Sequence, residues 1–272
     1  CAYCYVLDMP FQHPSVKKLI KQGYERDKFS NYRHTSNVIA TVQKDLKNIS
    51  PEDHGTVFFC TTCDPCATKA HTKTTTEAAK LILSKSNLQI RILSKSIRIV
   101  DIAKTLLNYK DRVSYGLSTG TCLNEISKSI EGNASPIKER VAALHWLQNI
   151  GYRTFGMICP VLPSEKGRVA ELLNQVRPEL CEDIWVEAIN DKGTSLTNTL
   201  TALQNSNLDF HAYAIKGIMQ NKDSWRQYTQ ELYLGFHREL RKQNMLHKLC
   251  YLQYTTMADR NFFTPKQGAV CL

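Results

Sequence analysis

The chain lacks any apolar run approaching the roughly 18 residues of a membrane-spanning helix, so no span is predicted. Its first residues resemble no secretory signal peptide. Without a sign of secretion, ten cysteines in 272 residues are not expected to form a disulfide framework. A reducing, cytoplasmic setting with a metal ion or cluster is the better reading of them. Acidic residues are also short, with 25 Asp+Glu against 35 Lys+Arg and a formal net charge of +10. That balance favours an anionic partner, nucleic acid first, since basic side chains attract phosphates.

What is present is ordinary globular composition, 42% hydrophobic, enough for one α/β domain or two smaller ones. Five of the ten cysteines fall within the first 66 residues. The chain is organised around Cys1-Ala2-Tyr3-Cys4-Tyr5. Two cysteines three apart on a loop can turn both sulfurs toward one metal ion or cluster, whereas a disulfide between them closes a strained small ring. The pair needs at least one further ligand, and the spacing alone leaves zinc, iron-sulfur and redox readings open.

From Phe11 to His34 the sequence is polar and basic, with Lys17, Lys18, Lys21, Arg26, Lys28 and Arg33, and reads as a solvated face or a phosphate-contacting one. A helix is predicted over about 37–46. Thr56 to Cys60 then reads as a buried parallel strand, Leu88 to Leu93 as a second, and Val113 to Leu117, Thr154 to Cys159 and Asp183 to Ala188 as three more. Helices are predicted between them over Thr76 to Leu83, Val100 to Leu107, Ile137 to Asn149 and Lys166 to Val176. Strands separated by single helices imply right-handed crossovers and a parallel sheet. Chemistry on such a sheet belongs at the carboxyl ends of its strands. There the sequence places Cys60, Cys63, Asp64 and Cys66, then Ser94, Lys95 and Ser96, then Ser118 and Thr119, then Cys159 and Pro160, then Glu187 and Asn190.

After Asn190 a helix is predicted from Ser224 to Gln243, with Trp225, Tyr228, Leu232, Phe236 and Leu240 as its core stripe. Arg238, Arg241, Lys242, His247 and Lys248 gather near its end. A last strand is predicted from Leu249 to Tyr254, and the tail from Arg260 covers the barrel mouth or lies loose. Cys181 and Cys271 have no ligand-like spacing.

The Cys-x-aromatic-Cys-Tyr start resembles the second and third cysteines of the CxxxCxxC motif of radical S-adenosylmethionine enzymes, in the form carried by spore photoproduct lyases and related photolyase-like DNA repair proteins. Further pieces resemble the same family in order. They are Cys60-Thr61-Thr62-Cys63-Asp64-Pro65-Cys66 for a Ser-Thr-x-Thr-Asp-Pro-Tyr segment, Ser94-Lys95-Ser96 for a Thr-Lys-Ser strand end, and Pro160-Val161-Leu162-Pro163 for a Pro-x-x-Pro turn. The cysteines at 60, 63 and 66 depart from the family pattern.

The resemblance implies an α/β partial (β/α)6 barrel over residues 1–190, whose first strand and first motif cysteine precede Cys1. Residues 191–272 then form a helical extension completing or capping it. It implies a 4Fe-4S cluster with Cys1 and Cys4 among its thiolate ligands, and S-adenosyl-L-methionine on the open iron. Lys95 matches a lysine that holds the methionine carboxylate, Ser118 a ribose or tail contact, and Tyr3 and Asp64 lie on the cofactor side. Cys60, Cys63 and Cys66 are candidate catalytic residues. One of them gives a hydrogen atom or electron to a substrate radical, or they bind an auxiliary metal with Asp64 or His71, or Cys60 only ends its strand. An electron donor such as flavodoxin or ferredoxin is implied, with nucleic acid as substrate. The competing reading is a zinc-stabilised nucleic-acid-binding protein without radical chemistry.

Overall fold

The computed structural model describes residues 1–4, 37–61, 63–191, 193–253, 259–264 and 266–271. The basic segment from Lys17 to Arg33 lies outside the described residues. Helix α1, Val38–Asp45, is capped by Asn37, whose side-chain oxygen accepts the Ala40 N–H at 3.0 Å. The alternation then runs β1 Thr56–Phe59, α2 Lys69–Lys85, β2 Gln89–Ser94, α3 Ile99–Thr105, β3 Val113–Ser118, α4 Asn124–Glu131, α5 Ile137–Asn149 and β4 Arg153–Val161. It continues through α6 Val169–Val176, β5 Ile184–Ala188, α7 Ser195–Asn205, α8 Asp209–Ile218, α9 Lys222–Lys242, β6 Leu249–Gln253, α10 Arg260–Phe263 and β7 Ala269–Cys271.

Seven strands lie side by side in chain order, each parallel to its neighbour, and curl into an open half-barrel flanked by helices. This is the expected partial barrel. The expected count differs, because Ala269–Cys271 forms a strand within the stretch read as a tail. Beyond residue 190 the sheet continues without a break, since β6 pairs with β5 from Ile184↔Leu249 to Glu187↔Leu252.

The period-two alternation of side chains divides the sheet into two unlike faces. Ile90 and Ile92, Val113, Tyr115 and Leu117, Ile158, Ile184 and Val186, and Leu249 and Tyr251 are buried on the helix-covered face. The register places Arg91 and Leu93, Ser114, Gly116 and Ser118, Phe155, Met157 and Cys159, Trp185 and Glu187, and Cys250 and Leu252 on the other, concave face. Core burial therefore holds the sheet from outside and leaves a mixed polar and aromatic lining within.

Ion pairs occupy the amino-terminal end of that concave face. The Arg91 guanidinium makes two bonds to Asp183, at 2.7 and 2.6 Å, and stands 4.0 Å over the Phe155 ring. Arg153 pairs with Glu182 and donates to the Gln89 side chain at 2.9 Å, while the Ser114 hydroxyl donates to Glu182 at 2.9 Å. Gly116 makes room for Phe155: a Cβ there would stand 2.3 Å from the ring.

Three expectations are corrected. Strand β1 is not buried on both faces, because among the described residues it has one neighbour, and Phe58 is 39% exposed. Helix α2 starts seven residues before the expected Thr76, since threonines dilute its apolar period. Buried Thr72 and Thr75 satisfy their hydroxyls on the Thr68 and Pro65 carbonyls at 3.0 and 2.9 Å. Helix α4 was not foreseen, having only Ile126 and Ile130 as its apolar pair. The α9 stripe behaves as read, with Trp225, Tyr228, Leu232, Phe236 and Leu240 all buried.

Candidate active site at the carboxyl ends of the strands

The cysteine turn is docked, not loose. The Cys4 N–H donates to the Cys1 carbonyl at 3.1 Å, which closes the turn, and the Ala2 N–H donates to the Ile130 carbonyl at 2.7 Å, which fastens it to the end of α4. Tyr3 packs against the core, and its hydroxyl donates to Glu131 Oε1 at 2.5 Å. Burial, reinforced by the Glu131 charge, raises the Tyr3 hydroxyl pKa well above its usual value, so Tyr3 is a neutral donor here. Cys1 is exposed and Cys4 half-buried.

Behind Tyr3 lies a chain of enclosed polar groups. Glu131 Oε2 accepts the Ser127 hydroxyl at 2.7 Å and the Arg140 guanidinium. Arg140, fully buried, also donates to the carbonyls of Ser135 at 2.7 Å and Ser118 at 2.8 Å and to the Ser127 hydroxyl at 2.5 Å. Burial opposes the Glu131 charge, but Lys95 and Arg140 nearby and the bonds from Arg140 and Ser127 outweigh it, and the carboxyl is held below its ordinary pKa.

Lys95 enters this site from the end of β2, its ammonium 5.5 Å from the centre of the Tyr3 ring. Its backbone is fixed on both sides: the N–H donates to Asp64 Oδ2 at 2.7 Å, and the carbonyl accepts the Ser135 N–H at 3.0 Å. Asp64 Oδ1 accepts the Ser94 hydroxyl at 2.6 Å and the Cys66 N–H at 2.8 Å. The Asp64 carboxylate thus clamps the loop after β1 to the end of β2. Ser118 is buried at the end of β3.

At the end of β4 the Cys159 thiol donates to Glu187 Oε2 at 2.9 Å, and burial and then the Glu187 charge push its pKa up. Tyr228 ties the neighbouring strand ends together, donating to the Val161 carbonyl and accepting the Ile189 N–H at 3.1 Å.

The three cysteines after β1 separate. Cys60 and Cys63 bring their sulfurs to 3.3 Å, while Cys66 is fully buried in the core, its thiol pushed up to about 12 by burial. His71 Nδ1 lies 2.9 Å from the Thr68 hydroxyl at the start of α2. Among the described residues no three His, Cys, Asp or Glu side chains are gathered as a metal shell. Cys1 and Cys4 can therefore supply two thiolates of a cluster but not a complete set.

Of the basic residues near the end of α9, Lys248 is a structural tie, donating to the carbonyls of Pro178, Glu179 and Cys181 at 2.9, 3.2 and 2.7 Å. Arg241 and His247 are exposed. Glu131 and Arg140 were not singled out in the sequence. Arg140 could have been, because it occupies an apolar stripe position between Ile137 and Leu144 on α5.

No protein-family profile matches the chain, and no characterised protein matches its sequence significantly. Solved structures do match its fold. A tyrosine-to-phenylalanine mutant of spore photoproduct lyase superposes with a TM-score of 0.56 at 14% identity, over 100% of this chain and 72% of that one. A cysteine-to-serine mutant of spore photoproduct lyase gives 0.56 at 15% identity, over 89% of this chain and 70% of that one. The fold is therefore like that of spore photoproduct lyase. Among the described residues no helix is long and apolar enough to cross a membrane.

The enclosed pair makes a testable claim on stability. Glu131→Gln leaves the Arg140 charge buried against a neutral amide, which is expected to cost about 3 kcal/mol or more at pH 7 in urea unfolding. Because the folded carboxyl titrates below its unfolded value, this contribution is complete above the ordinary carboxyl pKa and fades as pH falls through the folded one. The gap between the two proteins should accordingly narrow in acid. Equal midpoints at pH 7 would remove Glu131 from the role described.

Proposed function

We propose that the chain is a radical S-adenosylmethionine enzyme acting on nucleic acid, in the manner of a photoproduct lyase. The observation that carries this reading is the docking of a two-cysteine turn at the carboxyl ends of a parallel half-barrel, beside a fixed lysine. The donor set fits. Cys1 and Cys4 offer two soft thiolates from one turn toward a 4Fe-4S cluster. When bound, the cluster and S-adenosylmethionine, with an electron from a flavodoxin- or ferredoxin-like donor, supply a 5′-deoxyadenosyl radical able to take hydrogen from an unactivated carbon.

The protein's own groups position and protect. Lys95, with its backbone set by Asp64 and Ser135, offers a cation to the methionine carboxylate. The Tyr3 ring lies beside that ammonium, and the Glu131–Arg140 pair behind it holds the turn in place. Ser118, at the end of β3, offers a ribose or tail contact. The hydrogen returned to the substrate comes from the loop after β1, from Cys60 or Cys63, because Cys66 is enclosed in the core.

Three measurements test this reading. Lys95→Ala should weaken S-adenosylmethionine binding more than tenfold at equal iron content, since a charge pair in a closed site is worth several times the roughly 0–1 kcal/mol of an exposed one. Calorimetric titration reads the difference, and equal affinities would return Lys95 to the surface. For the nucleic acid, binding should weaken steeply with salt. The slope should fall by about 1 for each phosphate-contacting cation removed, so replacing Lys17, Lys18 and Lys21 together should flatten it most. Reduced protein with S-adenosylmethionine should convert a lesion-bearing oligonucleotide to one that digests to undamaged nucleosides, and should leave an intact duplex unaltered. Chromatography reads the conversion, because reversal of an intrastrand photoproduct is an isomerisation that leaves the mass unchanged. Binding without a salt slope, and no change in the nucleosides released from any lesion-bearing oligonucleotide, would overturn the substrate.

A further inference from the structure

The loop after β1 holds two thiols closer than a hydrogen-donor role needs. The Cys60 and Cys63 sulfurs are 3.3 Å apart, and the Cys60 sulfur also lies 2.9 Å from the Cys63 carbonyl oxygen. The following residues are pinned. Asp64 receives bonds from Cys66, Ser94 and Lys95, and the Pro65 carbonyl accepts the Thr75 hydroxyl at 2.9 Å. Cys60 is half-buried and Cys63 exposed, so one sulfur can be reached from solvent while its neighbour is sheltered. We infer that Cys60 and Cys63 form a redox-active dithiol, which closes to a disulfide by exchange with a low-molecular-weight disulfide.

The division of labour follows from the electrostatics of the pair. A hydrogen bond from the Cys60 thiol favours the Cys63 thiolate and outweighs the opposing effects of burial and Asp64, bringing Cys63 to about 7. Cys60, which supplies that bond, is pushed up. The Cys63 thiolate attacks one sulfur of the small disulfide RSSR, forming a Cys63–S–S–R bond and releasing RS⁻. Cys60 then loses its proton to solvent and attacks Cys63 Sγ, which closes the Cys60–Cys63 bond and expels the second RS⁻. Two protein thiols are oxidised, one disulfide is reduced, and the protons released by the protein end on the two RSH products. The ring spans only two intervening residues and is strained, so the disulfide is easily reduced again, as a switch requires and a staple does not. Where a thiol of this loop returns hydrogen to the substrate, the disulfide form has no S–H to give. The redox pair itself does not depend on that reading.

The test uses the wild-type protein, held anaerobically at pH 7 in glutathione buffers of increasing oxidised fraction, trapped by alkylation and mapped by peptide mass. Cys60 and Cys63 should lose alkylation together, with the peptide two hydrogens lighter. The closed fraction should follow the ratio of oxidised glutathione to the square of reduced glutathione. Cys66→Ser should behave alike, whereas Cys60→Ser should trap Cys63 as a glutathione adduct. Under reducing conditions iodoacetamide should modify Cys63 at least about tenfold faster than Cys60 at pH 7, the ratio falling as pH rises past the ordinary thiol value. Cysteines that stay alkylatable at every ratio, or that each carry their own glutathione, would overturn the pair whether or not the protein proves to use S-adenosylmethionine.

Discussion

The Arg140–Glu131 pair is the constraint on which the candidate site depends. A guanidinium with no solvent contact is costly to enclose, and it is stable only because acceptors surround it: the Ser118 carbonyl at the end of β3, the Ser135 carbonyl ahead of α5, and Ser127 and Glu131 on α4. The geometry that satisfies Arg140 also fixes where α4 ends against the sheet. The turn that carries Cys1 and Cys4 hangs from that helix end through Tyr3 and the Ile130 carbonyl. A packing requirement deep in the protein thus sets the place of two sulfurs at its surface.

The same logic shapes the barrel from the other side. Apolar burial is concentrated on the helix-covered face, so the concave face is free to carry polar side chains and aromatic rings. At its amino-terminal end those groups saturate one another, as Arg91 does with Asp183 and Arg153 with Glu182. At the carboxyl end Lys95, Cys159, Glu187 and the Cys60–Cys63 pair collect instead. The polarity of the sheet separates a structural end from a chemical one.

The five strands up to Ala188 were legible because each is a short β-branched or aromatic run between helical patterns. Helix α5 was legible to the residue, with Pro136 before it and Gly151 just beyond. Helix α4 was not, because eight residues with two isoleucines give almost no period. Strand β7 was not, because three residues pairing with β6 depend on tertiary context that a local pattern cannot carry. In the site, the strand-end residues Lys95, Cys159 and Glu187 were visible from their positions. The role of Asp64 in clamping two loops was hidden in the fold. Arg140 was hidden for a different reason: its charge made it look like surface, although its place in the α5 stripe marks it as core.

The account stands or falls on the cysteine turn as a cluster site in service of S-adenosylmethionine. The most direct measurement is made on full-length protein purified and reconstituted without oxygen, reduced and incubated with S-adenosylmethionine, with iron, sulfide and 5′-deoxyadenosine quantified together. The account predicts a brown protein with about four irons and four sulfides per chain, forming 5′-deoxyadenosine, with both lost in Cys4→Ala. A colourless protein with stoichiometric zinc and no 5′-deoxyadenosine, or an unchanged cluster in Cys4→Ala, would contradict it.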